Sequence, residues 1–132
     1  MIINPRLICL VEDDPLIIRL YERLFSLNNY QLKLAKDGEE AITLLSGLVD
    51  ELPALVLLDI MMPKLSGYDV LKFMKEHEVL MNIPVIMLSN LASKDDQSRA
   101  LSMGATMYLV KSQHTPKELL AKIEEFLATR VS

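Results

Sequence analysis

An apolar run that stops at a carboxylate constrains the fold of this chain more than any other stretch. Residues 54–58 read Ala-Leu-Val-Leu-Leu, and Asp59 follows them directly. The run is too short for a helix, so it predicts a strand buried on both faces, as in the middle of a parallel sheet. Pro63 prevents a clean continuation into a helix, so a loop is expected after Asp59. Asp59 is therefore predicted to lie at the carboxyl end of a central strand, where α/β folds place their chemistry.

Length and composition predict one domain, spanning residues 1–132, with an aliphatic core. The chain has 132 residues, of which 51% are hydrophobic and only 5% aromatic. Its net charge of −4 argues against a nucleic-acid-binding surface. Cys9, in an apolar run, is predicted to be a small core residue, and because it is the only cysteine a disulfide framework is excluded. No segment resembles a signal peptide or a membrane span, so a cytoplasmic protein without a membrane partner is predicted.

Strand and helix patterns alternate along the whole chain. Five strands are predicted, at 6–11, 31–35, 54–58, 84–89 and 106–110, and five helices, which begin at Asp14, Asp37, Ser66, Ser93 and Thr115. This βα repeat predicts an α/β fold with a doubly wound parallel sheet and helices on both faces. Because the second strand alternates like an edge strand, the predicted strand order is 2-1-3-4-5, the flavodoxin-like (βα)5 arrangement.

Charged and hydroxyl side chains lie at the carboxyl ends of four of the predicted strands, at the same edge of the sheet. They are Glu12, Asp13, Asp14, Asp59, Ser89 and Lys111. Two carboxylates about 4 Å apart repel by about 4 kcal/mol at an effective dielectric constant near 20, and a bound cation would offset this repulsion. A donor set made of oxygen atoms suits Mg²⁺ better than Zn²⁺.

Each of these residues also has a structural explanation. Asp14 is a suitable helix cap, and Glu12 and Asp13 could be solvated loop acids. Lys111 could simply neutralise Asp59. Their coincidence at four strand ends favours a site, because α/β sheets bind ligands at this edge.

Several short segments match a known pattern in the same order. They are Leu-Val-Glu-Asp-Asp at 10–14, Leu-Leu-Asp-Ile-Met-Met-Pro at 57–63 with Gly67, Met-Leu-Ser at 87–89, and Gly104-Ala105 with Tyr108 and Lys111. Together they resemble the receiver domain of two-component response regulators, over essentially the whole chain. The resemblance implies a regulatory domain, not an enzyme, that assists its own phosphorylation and dephosphorylation.

The resemblance also implies the partners and the metal site. A sensor histidine kinase, a phosphotransfer protein or a small phosphodonor would phosphorylate Asp59, and the product would control a downstream protein or an output domain that is not in this chain. Phosphorylated copies could also pair as homodimers. Asp13 and Asp59 would bind Mg²⁺ directly, together with the carbonyl of Met61, and Glu12 would act mostly through water.

Three further residues have implied roles in phosphorylation and in switching. Ser89 and Lys111 would stabilise the phosphoryl group, and Tyr108 would turn inward on activation. A carboxylate can attack phosphorus to give an acyl phosphate, and catalysis is then mainly positioning and charge stabilisation. We expect Ser89 and the loop after it to move toward the phosphoryl group, followed by the fourth helix and Tyr108.

The chain departs from the pattern after the lysine. The family usually has proline there, often after a cis bond, whereas this chain has Lys111-Ser112. A cis bond to a non-proline residue costs about 3–4 kcal/mol. We nevertheless predict that the fold retains the cis form.

Two other functions remain open from the residues alone. An aspartyl-based phosphatase or phosphotransferase of the dehalogenase type would need a second acid two residues after the nucleophile, where this chain has Met61. A phosphorylation-independent interaction module would have lost an acid, the hydroxyl or the lysine, and all are present. The glycines form neither a P-loop nor a GxGxxG turn, which argues against a nucleotide or flavin binder.

Overall fold

The structure, a computed structural model, describes residues 2–130 as one five-stranded sheet covered by helices. The strands are β1 (Ile2–Val11), β2 (Gln31–Ala35), β3 (Glu51–Leu58), β4 (Val85–Ser89) and β5 (Met107–Val110). The helices are α1 (Pro15–Leu27), α2 (Gly38–Ser46), α3 (Gly67–Glu76), α4 (Lys94–Ser102) and α5 (Pro116–Arg130). All strand pairs are parallel, in the order β2-β1-β3-β4-β5, which confirms the predicted fold class and topology.

The helices begin where the capping residues predict. The side chains of Asp14, Asp37, Ser66, Ser93 and Thr115 each accept a hydrogen bond from a backbone N–H group in the first turn of their helix. Such caps satisfy donors that have no partner within the helix, so each one fixes the point at which a loop gives way to a helix. At the sheet edge, this sets the length of the loops that carry the charged residues.

The five helices are divided unequally between the two faces of the sheet. Alternate residues of β3 point to opposite faces, as in any strand. One face of the sheet packs against α1 and α5, and the other packs against α2, α3 and α4. Cys9 lies fully buried on the second face, where burial raises the pKa of its thiol to about 12. No helix within residues 2–130 is long and apolar enough to cross a membrane.

The first and third strands begin earlier than their apolar patterns predict. Ile2 pairs with Glu51 and Asn4 pairs with Pro53, whereas β2 pairs with β1 only from Leu7 onward. The β1–β3 ribbon therefore extends beyond the rest of the sheet at its amino edge. Prolines at positions 5 and 53 hide this extension from a pattern search, because proline is normally read as the end of a strand.

Candidate functional site

Three carboxylates meet at the carboxyl edge of the sheet. Glu12 and Asp59 come directly after the neighbouring strands β1 and β3, and the backbone ladder continues through them, since Asp59 N donates to Val11 O at 3.1 Å. One oxygen atom each from Glu12, Asp13 and Asp59 lies within 4.8 Å of the others. Glu12 is only 1% exposed and Asp59 only 7%, whereas Asp13 is exposed. The strand-end residues that the sequence predicted to converge do converge.

Lys111 lies between the two buried carboxylates. Its Nζ is 3.2 Å from Asp59 Oδ2 and donates a short hydrogen bond to Glu12 Oε1. The other oxygen of Glu12 accepts the backbone N–H groups of residues 13 and 14, each at 3.1 Å, and Asp59 Oδ1 accepts that of Ile60 at 2.8 Å. Both oxygens of each buried acid therefore have a partner, which fixes their orientation before any ligand binds.

The electrostatic balance of this group favours an additional cation. Burial raises the pKa of Asp59 above its ordinary value, and the ammonium group of Lys111 opposes that rise only in part. Burial also raises the pKa of Glu12, and the hydrogen bond and charge of Lys111 again oppose that rise only in part. Oxygen donors from three carboxylates, one of them exposed to water, fit a hard divalent ion such as Mg²⁺. The arrangement could therefore hold a metal.

Ser89 and Tyr108 are joined through one residue of the β4–α4 loop. The buried Ser89 Oγ accepts the backbone N–H of Leu91 at 3.2 Å, and the Tyr108 hydroxyl donates to the carbonyl of Leu91 at 2.7 Å. The tyrosine ring is already partly buried in this arrangement. Leu91 was not singled out from the sequence, because it is the backbone, not the side chain, that makes both contacts.

An open pocket of about 220 Å³ is lined by all of the predicted site residues except Tyr108. Its lining consists of Glu12, Asp13, Asp14, Ile17, Asp59, Met61, Ser89, Asn90, Leu91 and Lys111. A carboxylate, an ammonium group and a hydroxyl thus face one small volume. A larger groove of about 550 Å³ lies at the opposite edge of the sheet, between Ile3, Ile83 and Leu127, and its lining within residues 2–130 includes no carboxylate.

The Lys111–Ser112 peptide is trans, so the prediction of a cis bond is wrong. Residues Lys111–Gln113 form a 3₁₀ turn, closed by a hydrogen bond from His114 N to Lys111 O at 3.3 Å. In this turn the Lys111 ammonium group reaches both carboxylates with a trans peptide. Because the trans form already makes these contacts, nothing offsets the cost of a cis bond to serine, which is about 3–4 kcal/mol.

Gly67 has a structural role that its place in the motif did not reveal. Its N–H donates to Ile60 O at 2.8 Å, and a Cβ atom at this position would lie 2.2 Å from the carbonyl oxygen of Asp59. The start of α3 is therefore pressed directly against the backbone of Asp59, which only glycine permits. The sequence signal for this close contact is a glycine that follows shortly after the loop that contains Pro63.

Comparison with known proteins agrees with this geometry. Residues 8–124 match the response regulator receiver domain family. The chain belongs to this family. The receiver domain is 41% identical over 127 residues to a probable transcriptional regulator, ycf27, of Cyanophora paradoxa, covering 96% of this chain and 50% of the relative. It is 36% identical over 118 residues to the response regulator SaeR of Staphylococcus aureus (strain USA300), covering 89% of this chain and 49% of SaeR.

Solved structures resemble the receiver domain over nearly its whole length. The phosphorylated cyanobacterial phytochrome response regulator RcpA superposes with a TM-score of 0.85 at 29% identity, covering 96% of both chains. The Mn²⁺-bound form of the response regulator Rcp1 superposes with a TM-score of 0.77 at 29% identity, covering 92% of this chain and 91% of Rcp1. The receiver domain spans about half the length of the curated relatives that it matches.

Proposed function

We propose that Asp59 accepts a phosphoryl group in the presence of Mg²⁺ and that the phosphorylated receiver domain controls a partner protein or an output domain. The observation that carries this proposal is the placement of a buried carboxylate in an open pocket, with Lys111 Nζ 3.2 Å away and the Ser89 hydroxyl in the same lining. The structural likeness to RcpA in its phosphorylated form supports it.

In the transfer step, a carboxylate oxygen of Asp59 forms a bond to phosphorus while the bond from phosphorus to the donor breaks. The leaving group, an imidazole nitrogen of a phosphohistidine or the oxygen of a small acyl phosphate, departs with that electron pair. Negative charge on the phosphoryl oxygens is stabilised by the ammonium group of Lys111 and by a hydrogen bond from Ser89. Hydrolysis by water that enters the open pocket would return the free carboxylate and inorganic phosphate.

Mg²⁺ would be held by Asp13, Asp59 and the carbonyl of Met61, with Glu12 acting through water. When bound, the ion neutralises the carboxylates and the incoming phosphoryl group. The Mn²⁺-bound form of the related Rcp1 supports a divalent-cation site in this fold. The role of Glu12 is broader than the sequence suggested, because the same carboxylate also orients Lys111.

Exposed apolar side chains on α1 and in the pocket lining favour a protein as the phosphodonor. Leu16 and Leu20 lie one turn apart on α1 and are 69% and 45% exposed, and the side chain of Met61, which lines the pocket, is 66% exposed. Exposed apolar side chains on a helix that begins at the pocket fit a sensor histidine kinase or phosphotransfer protein in the cytoplasm. The controlled output would be a separate protein or a further part of the same polypeptide, with homodimer formation as one form of control.

Intact-mass spectrometry tests the proposal directly. The wild type and Asp59→Asn are incubated with acetyl phosphate and Mg²⁺, and the wild type with acetyl phosphate alone. We expect a gain of one phosphoryl group in the wild type with Mg²⁺, none in Asp59→Asn, and a much slower gain without Mg²⁺. No gain in the wild type, with Mg²⁺ binding confirmed, would instead identify a phosphorylation-independent interaction module.

A further inference from the structure

We infer that Tyr68, Asp96 and Arg99, here called the Tyr68 cluster, form a second connection between the phosphoacceptor and α4. This connection is separate from the one that runs through Ser89, Leu91 and Tyr108. The inference rests on the proposed function of Asp59, because it assigns a route by which a change at that residue reaches α4.

The Tyr68 cluster attaches α4 to the start of α3. The Tyr68 hydroxyl donates to Asp96 Oδ1 at 2.9 Å and lies 3.3 Å from the Asp96 carbonyl oxygen. The guanidinium group of Arg99, one turn further along α4, lies 3.9 Å from the centre of the Tyr68 ring. One side chain of α3 thus binds two residues of α4, by a hydrogen bond and by a cation–π contact.

The hydroxyl of Tyr68 stays protonated and the carboxyl of Asp96 stays ionised at neutral pH. Hydrogen bonds from Ser93 and Tyr68 lower the pKa of Asp96. Burial and the neighbouring Asp96 raise the pKa of Tyr68 to about 12. A neutral donor therefore faces a charged acceptor, the stronger kind of hydrogen bond.

Few buried side chains hold α4 in place. Within α4, all of which the structure describes, Ala100 is the only buried residue. A helix with so small an apolar contact depends on its polar attachments for its position. The Tyr68 cluster provides one attachment near the start of the helix, and the loop contact at Leu91 provides another.

The other end of the connection touches the phosphoacceptor. Tyr68 follows Gly67, whose Cα is packed so closely on the backbone of Asp59 that an added Cβ would lie 2.2 Å from the Asp59 carbonyl oxygen. A displacement of the Asp59 backbone would therefore move the first turn of α3. Because Tyr68 belongs to that turn, the displacement would reach Asp96 and α4 without passing through Ser89.

Hydrogen exchange of the α4 backbone amides tests this connection. The proteins are the wild type, Tyr68→Phe, Tyr108→Phe and the double variant, each with Mg²⁺ alone and with Mg²⁺ and acetyl phosphate. Tyr30→Phe is the matched control, because the Tyr30 hydroxyl donates to a carboxylate, Glu124, at 3.3 Å on the other face of the sheet.

Without acetyl phosphate, we expect Tyr68→Phe to raise the exchange rate of the α4 amides about fivefold, the effect of losing one net hydrogen bond. We expect Tyr30→Phe to leave that rate within twofold of the wild type. Asp96→Asn keeps an acceptor oxygen but not the charge, so an intermediate rise is expected. An unchanged α4 exchange rate in Tyr68→Phe would overturn the inference.

With acetyl phosphate, the two tyrosine variants separate the two connections. We expect Tyr108→Phe to retain part of the phosphorylation-dependent change in α4 exchange and the double variant to lose that remainder. Complete loss in Tyr108→Phe alone would show that only one connection exists. If the mass of the wild type shows no phosphoryl group, the proposed function and the signalling role fail together, whereas the comparison without acetyl phosphate still decides whether Tyr68 holds α4.

Discussion

The two edges of the sheet differ in whether they bury charged side chains. At the carboxyl edge, Glu12 and Asp59 are buried beside Lys111, at the floor of an open pocket. At the amino edge, the groove is lined mainly by apolar side chains, with Arg130 at its wall. Burial of ionised groups costs stability, so the candidate site at the carboxyl edge lowers the stability of the fold, whereas the apolar groove at the amino edge has no such cost.

A tyrosine, an acid and an arginine contact one another near each of the two edges. At the amino edge, Tyr30 donates to Glu124 at 3.3 Å and Arg6 stacks over the Tyr30 ring at 4.1 Å. Arg6 is further fixed by hydrogen bonds to two backbone carbonyls, those of Asn28 and Asn29, at 2.6 and 3.0 Å. A tyrosine, an acid and an arginine thus repeat the chemistry of the Tyr68 cluster.

What differs is what each cluster connects. Tyr30, Glu124 and Arg6 are here called the Tyr30 cluster. This cluster joins β1, the turn before β2 and α5, all of which are anchored by buried side chains. The Tyr68 cluster joins α3 to a helix that buries Ala100 alone. The same kinds of contact therefore add stability between elements that are already anchored by buried side chains. Where a helix buries little, as α4 does, they determine the position of the helix.

The largest effect is expected for Lys111→Met. This change removes the cation that faces Asp59, the proposed phosphoacceptor, so the rate of phosphoryl gain should fall by about 100- to 1000-fold, or about 3–4 kcal/mol. The matched change at the amino edge, Arg6→Met, should leave that rate within twofold. Time-resolved intact-mass spectra with acetyl phosphate measure both, and a loss below tenfold in Lys111→Met would remove the chemical contrast between the edges.

Gly67→Ala should be the most damaging small substitution for folding. The added Cβ would lie 2.2 Å from the carbonyl oxygen of Asp59, so the free energy of unfolding should drop by about 2–3 kcal/mol. Gly47→Ala is the control, because its Cβ would meet no atom closer than 3.5 Å. Urea denaturation of both variants, monitored by circular dichroism, should show a loss only in the first.

Asp59→Asn should increase stability. Burial raises the pKa of Asp59, so the ionised form is disfavoured in the folded state, and at pH 7 without Mg²⁺ the neutral amide should add about 1 kcal/mol. As the pH falls through the pKa of Asp59, the wild type becomes protonated and the difference should shrink. Urea denaturation at several pH values gives the comparison. A less stable Asn variant would mean that the carboxyl edge does not trade stability for function.

The smallest effect is expected for Arg99→Met. Loss of its cation–π contact should reduce the free energy of unfolding by about 0.5 kcal/mol. Arg6→Met should cost about 1 kcal/mol more, because it also loses the two hydrogen bonds to backbone carbonyls. Thermal or urea denaturation of the two variants compares them, and equal losses would contradict the different anchoring of the two clusters.

The sequence predicted most of the fold, because the fold depends on local signals. Apolar runs, helix caps and the edge pattern of residues 31–35 each have a physical period or a fixed position, and together they predicted the strand order. The convergence of Asp13, Asp59 and Lys111 followed from topology, since parallel strands end at the same edge. The early start of β1 was missed because Pro5 interrupts its pattern.

The unpredicted features depend on contacts between distant segments. The Tyr68–Asp96 hydrogen bond joins residues 28 positions apart, and Leu91 acts through its backbone, so neither leaves a local signal. The trans peptide at Lys111 was mispredicted because the resemblance outweighed the energetic cost of a cis bond to serine. Topology decides which strand ends meet, but not the details of side-chain geometry.

The burial of the single cysteine has a practical consequence for measuring the proposed movement of α4. Cys9 is fully buried and its thiol has a pKa of about 12, so its reactive thiolate is scarce and inaccessible in the folded protein. A thiol introduced on the exposed face of α4, as in Ser98→Cys, would therefore react selectively with a maleimide dye or a spin label. Because the chain has no other reactive thiol in its folded state, a label on this position would report only the proposed movement of α4.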